Sequence, residues 1–365
     1  IAVAMILAIL ADDTLPHPPL EAVFTVDEEV GMDGAFALDC SDLKGKKLLN
    51  LDSEEEGIFT VSCAGGMRAD CTLPGKREPL GGESCYAVTL SGLQGGHSGG
   101  DIDKGRGSAN ALMGRVLYSA MEQLSGLRLA AIQGGRFDNV ICSRCDAVIA
   151  VPAGKEADLE QFIRGFDATL KNEYAGCDAG VTLECAKTEA ASAVSAETTS
   201  VMLHTLFALP QGVEAMSADF PGLVQTSLNM GVVKLNGDGL HITFSIRSSI
   251  ASRKLMLAQR VRAVAALAGG TVAERGVYPG WQYKRESQFR DTLLAAYKDL
   301  TGKDGVVEAT HGGLECGLLM EKIPGLDAVS MGPELHDVHS VRERLNVPST
   351  ERTYELVCEL LRRSC

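Results

Sequence analysis

Two adjacent carboxylates, Glu28 and Glu29, lie in "FTVDEEVGMDGAF" (Phe24 to Phe36), a run of β-formers that turns acidic and is followed by Gly31 and Gly34. Neighbouring carboxylates repel, so a solvated turn is one reading. The other is two jobs side by side, a proton transfer and a metal bond. "LNLDSEEEG" (49–57) and "GPELHDVHS" (332–340) add more acids, with His336 and His339. Each stretch falls at or just beyond the C-terminal end of an expected strand, where open α/β sheets place their sites. Hard oxygen and imidazole ligands, with one carboxylate left free to take a proton, are what a metal hydrolase needs. Asp52 is the acid selected in its stretch because it directly follows the apolar run; the rest of "DSEEEG" reads as a solvated face. His336 and His339 each suit either a ligand or a surface role.

A competing chemistry lies in "GHSGG" (96–100), which matches Gly-x-Ser-x-Gly after a strand and makes Ser98 a candidate nucleophile. That elbow needs a helix beginning at the serine, whereas "GGDIDKGRGS" intervenes. His97 and its glycines suit a substrate-facing loop, with a glycine turn of no function as the plain alternative. "CSRC" (142–145) matches Cys-x-x-Cys without a second pair, so buried thiols on a strand are expected in place of a zinc knuckle.

The surrounding composition narrows the classes. Net charge is −14 with no basic stripe, which excludes nucleic acid and anionic membrane as natural partners. Eleven scattered cysteines fit free thiols in a reducing compartment, and a soluble cytoplasmic protein is expected. "IAVAMILAIL" (1–10) is too short to span a bilayer and lacks the flanks of a signal, so a buried helix is expected. Because the chain opens inside an element and without Met, a missing natural N-terminus is expected as well.

The elements that must position these residues form an α/β chain in three parts. "LEAVFTV" and "KKLLNLD" read as buried strands ending in acids. From Cys85, "CYAVTLSGL", "SANALMGRVLYSAMEQL", "RLAAIQGG", "DAVIAVPAG", "EADLEQFIRGFDATLKNEY" and "VTLECAKTE" follow the order β-α-β-β-α-β, a split βαβ unit. A related order recurs in the helix "SVMLHTLFAL", a hairpin turning at Asn236-Gly237-Asp238-Gly239, the helix "SRKLMLAQRVRAVAALAG" and the strand "TVAERGVY". "FRDTLLAAYKDLTG", "LDAVSMG" and "STERTYELVCELLRRSC" return to helix-strand-helix. A split outer domain, 1–70 and 281–365, with an inserted α+β domain, 71–280, explains this order.

Together "TVDEEVGMDGAF", "LNLDSEEEG", "CAGG", "LSGLQGGHSGGDI", "TSLNMGVV", "YPGWQ", "GGLECGL" and the closing "GP…HS" resemble the aminoacyl-histidine (Xaa-His) dipeptidases of the dinuclear zinc aminoacylase and carboxypeptidase clan. The resemblance runs in order from the first residue to the last helix. It implies a zinc-peptidase-like catalytic domain carrying a lid domain, and two divalent metal ions, zinc with manganese or cobalt as chemical alternatives. By position it makes Glu28 the general base, Glu29 a ligand of one metal, Asp52 a ligand of the other and His339 the terminal imidazole ligand. It also implies that Asn139 contacts substrate, that Arg247 grips the peptide's C-terminal carboxylate, and that the backbone of Gly313 approaches the substrate. His97 resembles a lid histidine that polarises the scissile carbonyl, in its own or a partner's site. A homodimer is implied too.

The departures are specific. The family's His-x-Asp motif and its bridging aspartate have no counterpart here, and the chain begins where the residue after the bridging stretch would fall. "DNVICS" replaces the expected Asn-Ala-Ile-Pro form around Asn139. A metal-dependent dipeptidase is therefore the leading expectation. An aminoacylase- or carboxypeptidase-type amide hydrolase, a peptidase scaffold without its catalytic centre, and a serine hydrolase on Ser98 stand as alternatives.

Overall fold

The structure is a computed structural model of residues 1–365, of which all but Val30 and Asp238 are described. The chain divides into two compact units. One comprises Ile1–Gly65, Ala218–Leu223 and Tyr278–Cys365; the other comprises Gly66–Ser217 and Val224–Val277.

The first unit is built on a four-stranded mixed sheet in the order Lys47–Asn50, Asp327–Ser330, Ile58–Cys63, Val306–Thr310. The Lys47–Asn50 and Asp327–Ser330 strands are parallel neighbours, so their C-terminal ends emerge at the same edge. Phe59, Val61 and Val329 of the sheet share one buried cluster with Leu293 and Ala296 of the Gln288–Thr301 helix and Leu356 and Val357 of the Val347–Arg363 helix. The last helix starts on a side-chain cap, Asn346 accepting from the Ser349 amide, with Pro348 in its first turn, where a missing N–H costs nothing.

Three expectations change here. "LEAVFTV" forms no strand: Phe24 and Val26 are exposed and no sheet partner runs beside them among the described residues. An extended segment without a ladder must give its backbone groups to turns and water. The opening helix, Ala2–Leu10, buries only Met5 and Ile9, because a helix apolar all round can press one face at a time against a core. The segment Ala218–Leu223, expected inside the insertion, belongs to the first unit, where Phe220 packs edge-on against Tyr283 and Asp219 pairs with Arg285 at 2.8 Å.

The second unit carries a nine-stranded sheet. Its first half has the order Thr182–Thr188, Ser84–Ser91, Cys145–Val151, Arg128–Gly134, which is a complete split βαβ unit. The second half continues with Val224–Leu235, Gly239–Ser248, Gly65–Pro74 and Thr271–Tyr278. The repeat read in the sequence lacked a first strand, and Gly65–Pro74 supplies it from ahead of the whole first half. The two halves are therefore nested. Residues of all four long helices, Ala109–Gln123, Glu156–Glu173, Ala196–Ala208 and Ala251–Leu267, enter one apolar cluster with alternate residues of the strands. The expected hairpin turn is closed by the Asn236 amide donating to the Gly239 carbonyl at 2.9 Å, while Asp238 lies outside the described residues.

The halves meet at a thin seam, since among the described residues only Val233 and Lys234 pair with Gly134 and Gln133. Asn110, fully buried on its helix, closes the gap: Nδ2 donates to the Met230 carbonyl at 2.9 Å and to that of Gly231 at 3.2 Å. Buried carbonyls stripped of their donor cost roughly 1–3 kcal/mol each. We therefore expect Asn110→Ala to lower unfolding free energy by about 2 kcal/mol or more, read as a reduced denaturant midpoint. An unchanged midpoint would show that the seam is held by its strands alone.

Candidate active site

The turn that carries Glu28 and Glu29 is built by two glycines with different duties. Gly31 adopts φ +138°, and the amides of Gly31 and Met32 fold back to donate to the Glu28 carbonyl at 3.2 and 3.0 Å. Gly34 serves through its missing side chain. Its amide donates to the Val26 carbonyl at 3.0 Å, and a Cβ there would lie 2.4 Å from the Val26 backbone. The loop is pinched shut at that point. Beyond it the short helix Asp33–Ala37 ends on Lys322, whose Nζ donates to the carbonyls of Ala35, Phe36 and Leu38 at 2.6–2.8 Å. A cation at a helix C-terminus complements the orphaned carbonyls.

The opposing residues leave the sheet from the paired ends of Lys47–Asn50 and Asp327–Ser330. Asn50 Oδ1 accepts from the Asp52 amide at 3.1 Å and from Ser330 Oγ at 2.6 Å, tying the two strand ends together. Gly332 lies so near this loop that a Cβ would be 1.7 Å from the Ser53 carbonyl oxygen. The loop from Asp337 to Ser340 is tightened by Ser340 Oγ donating to the Asp337 carbonyl at 2.6 Å, and it presents His339. His339 Nε2 stands 3.7 Å from Glu29 Oε1 and 3.8 Å from Glu54 Oε1. Four non-glycine residues of the described chain have left-handed backbone: Asp27 at 58°, Met32 at 63°, Asp337 at 54° and His339 at 60°. All four belong to these two loops, the kind of place where backbone strain collects around function.

Charge crowding marks the same cluster. Glu28 is held above the ordinary carboxylate range by burial first, then by Asp52, Glu29 and Glu315, with His339 opposing. Asp52 is raised by burial and by Glu29. Its side chain nonetheless retains exposed surface. Glu54 and Glu315 are raised as well, each chiefly by burial. Sequence reasoning passed over both. "GGLECG" contains the signal for Glu315, an acid at the first position of the Glu315–Lys322 helix, one residue beyond paired glycines. His336 sits apart, exposed and 3.8 Å from Glu334.

The donor types here suit a hard divalent cation. Two donors on one tetrahedral zinc, each about 2.0–2.2 Å from it, stand roughly 3.3 Å apart, and the His339–Glu29 separation is close to that. Among the described residues, no three His, Cys, Asp or Glu side chains form a ready-made ligand set. The residues fit the group in chemistry and in one preset pair.

In the second unit, His97, Asn139 and Arg247 come together. The Ser98 amide donates to the Asn139 carbonyl at 2.9 Å, and Gly96–His97 pairs with Val140–Ile141. Gly99 leaves room for both neighbours: a Cβ there would be 2.9 Å from His97 Cε1 and 3.5 Å from Arg247 Cζ. The amides of Gly99 and Gly100 donate to His97 Nδ1 at 3.3 and 3.2 Å, so the neutral ring carries its proton on Nε2. Burial and then the Arg247 guanidinium push the His97 pKa down. Ser98 is buried and the next helix starts at Ala109, so no strand-to-helix elbow forms and Ser98 is not set up as a nucleophile. Cys142 and Cys145 are buried free thiols, with burial raising both. Gly313 lies in the first unit, where a Cβ would approach the Tyr278 ring to 2.9 Å.

Residues 88–177 match the M20 peptidase dimerisation domain. Over 99% of its length the chain is 38% identical to the cytosol non-specific dipeptidase of Escherichia coli K12, covering 75% of that protein. It is also similar to the crystal structure of aminoacylhistidine dipeptidase from Vibrio alginolyticus, with a TM-score of 0.93 and 34% identity, covering 99% of this chain and 74% of that one. Aminopeptidase PepT from Bacillus cereus shares the fold at a TM-score of 0.50 and 15% identity, covering 99% and 69%. No described helix is long and apolar enough to cross a membrane.

The histidine geometry yields a measurable pH effect. Desolvation and the neighbouring cation both disfavour imidazolium, so the ring gives up its proton at lower pH than an ordinary histidine, whose pKa is about 6.5. Removing the cation removes one of those causes. In Arg247→Gln the His97 pKa should move upward, followed by NMR titration of the ring; a downward shift or none would contradict the coupling.

Proposed function

The chain belongs to the M20 metallopeptidase family, among its dipeptidases, and on that footing we propose that it hydrolyses short peptides, Xaa-His dipeptides favoured, with Glu28 as general base. The observation that carries this reading is the convergence of Glu28, Glu29, Asp52 and His339 from three separately braced loops. Glu29, Asp52 and His339 would supply three of the ligands to two divalent ions, zinc by donor type with manganese or cobalt as alternatives, while the family's His-x-Asp motif and bridging aspartate have no counterpart in this sequence. When bound, the ions supply Lewis acidity and a water nucleophile at neutral pH.

The protein's own residues do the rest. Glu28 takes a proton from the attacking water as its oxygen adds to the peptide carbonyl carbon, then delivers that proton to the leaving amine nitrogen. A carboxylate can serve both halves of this cycle, accepting the proton in the first and donating it in the second. His97, in its own or a partner's site, offers its Nε2–H to the carbonyl oxygen as negative charge builds there. Arg247 binds the substrate's C-terminal carboxylate with its guanidinium fork. Asn139 and the backbone at Gly313 orient the peptide. The dimerisation-domain match supports a homodimer, and the name of the E. coli relative supports a cytoplasmic setting.

Glu28→Gln should lower kcat on dipeptides by about 10²–10⁴-fold and leave metal content per chain, measured by elemental analysis, unchanged. Asp52→Asn should lower metal content itself. Full activity in Glu28→Gln would remove Glu28 as base. Failure of the metal-loaded wild type to cleave any dipeptide would overturn the reading as a whole.

A further inference from the structure

We propose that Glu315 recognises the free α-ammonium of the peptide substrate and so confines cleavage to the bond next to the substrate's N-terminus. This rests on the dipeptidase reading above. An enzyme that selects dipeptides must sense both ends of a very short molecule, and an ammonium calls for an anion with an oxygen to spare. Of the clustered acids, Glu28 is committed to proton transfer and Glu29 and Asp52 to metal, while Glu54 stands 3.8 Å from the His339 imidazole. Glu315 is the acid left over.

Its geometry is that of a receptor. Thr25 Oγ1 donates to Glu315 Oε2 at 2.9 Å, which fixes the carboxylate plane. The second oxygen, Oε1, is buried and has no hydrogen-bond partner among the described residues. Among the described residues Glu315 makes no ion pair with any lysine, arginine or histidine. A buried carboxylate oxygen lacking a donor is costly, and such atoms in native proteins call for a partner. An ammonium group supplies both the charge and the N–H. Thr25 lies three residues before Glu28, so the same short segment that carries the base also sets the Glu315 orientation. Asp52 acts electrostatically on Glu315, adding negative potential where a cation would dock. At the backbone, Glu315 is the first residue of a helix and follows Gly312 and Gly313, so its position is set by regular structure, not by a loop tip.

The test compares two probes by calorimetry on metal-loaded protein: a phosphinic dipeptide isostere with a free amine, and the same compound N-acetylated. The wild type should prefer the free amine by about 10–100-fold, the range for a hydrogen bond to a charged group. Glu315→Gln should erase that preference while leaving affinity for the acetylated probe unchanged. Thr25→Val, which keeps the charge and removes its anchor, should narrow the preference without abolishing it. A preference that survives Glu315→Gln overturns the proposal, as does equal weakening of both probes, which marks a purely structural role. Should Glu315→Gln fail to fold, a full preference in Thr25→Val decides against it. A wild type that cleaves dipeptides without preferring the free amine overturns this inference alone. A wild type that shows the preference but cleaves nothing overturns the peptidase reading and leaves the ammonium site standing.

Discussion

Mutual repulsion among Glu28, Glu29, Asp52, Glu54 and Glu315 is the constraint around which the first unit is organised. Carboxylates left to themselves move apart into water, so their convergence has to be enforced by backbone that cannot yield. The enforcement is local and identifiable. Gly34 lets the loop close on Val26, Lys322 gathers three carbonyls behind it, and Gly332 lets the Ser53 loop lie against the strand end. None of these contacts is itself acidic. The cluster thus holds unfavourable charge on a frame whose own interactions are favourable, and the left-handed residues at Asp27, Met32, Asp337 and His339 show where the frame is most strained.

The second unit solves the opposite electrostatic problem. His97 is kept neutral beside the Arg247 guanidinium, with the backbone of Gly99 and Gly100 settling which nitrogen bears the proton. A neutral imidazole with a defined donor is a better partner for developing negative charge than one divided between tautomers. Removing a side chain at Gly99 is what brings these two groups together, much as Gly34 does for the acids.

Periodicity made much of this architecture readable. The helices Ala109–Gln123, Glu156–Glu173 and Ala251–Leu267 and the strands flanking them are where alternating and 3.6-residue patterns point. "LEAVFTV" misled because β-propensity describes a segment that fits a sheet and says nothing of whether a neighbour is present to pair with it. The nested first strand, Gly65–Pro74, was hidden for a related reason, since its partners are far away in sequence. In the site, residues at the ends of apolar runs, such as Asp52, were legible. Glu54 and Glu315 were not, because an acid among acids is ordinarily a solvated face. What distinguishes Glu315 is a buried oxygen and a bond to Thr25, both properties of the folded chain.

The nesting of the two half-units also has a consequence for how the chain matures during synthesis. The strands and helices from Ser84 to Thr188 can collapse as soon as they have emerged, since apart from the short seam at Gln133 and Gly134 their strand pairings lie within that span. Gly65–Pro74 leaves the ribosome earlier, yet its sheet neighbours are Gly239–Ser248 and Thr271–Tyr278. It must wait as an unpaired edge while the entire first half forms. Long waits for distant partners slow folding and leave edges open to wrong pairing. Arg68 and Asp70, charged residues inside that waiting strand, place charges on the exposed edge that oppose a premature pairing. In the finished sheet they are absorbed: Asp70 accepts from Thr243 Oγ1 and pairs with Arg275, and Arg68 pairs with Asp138.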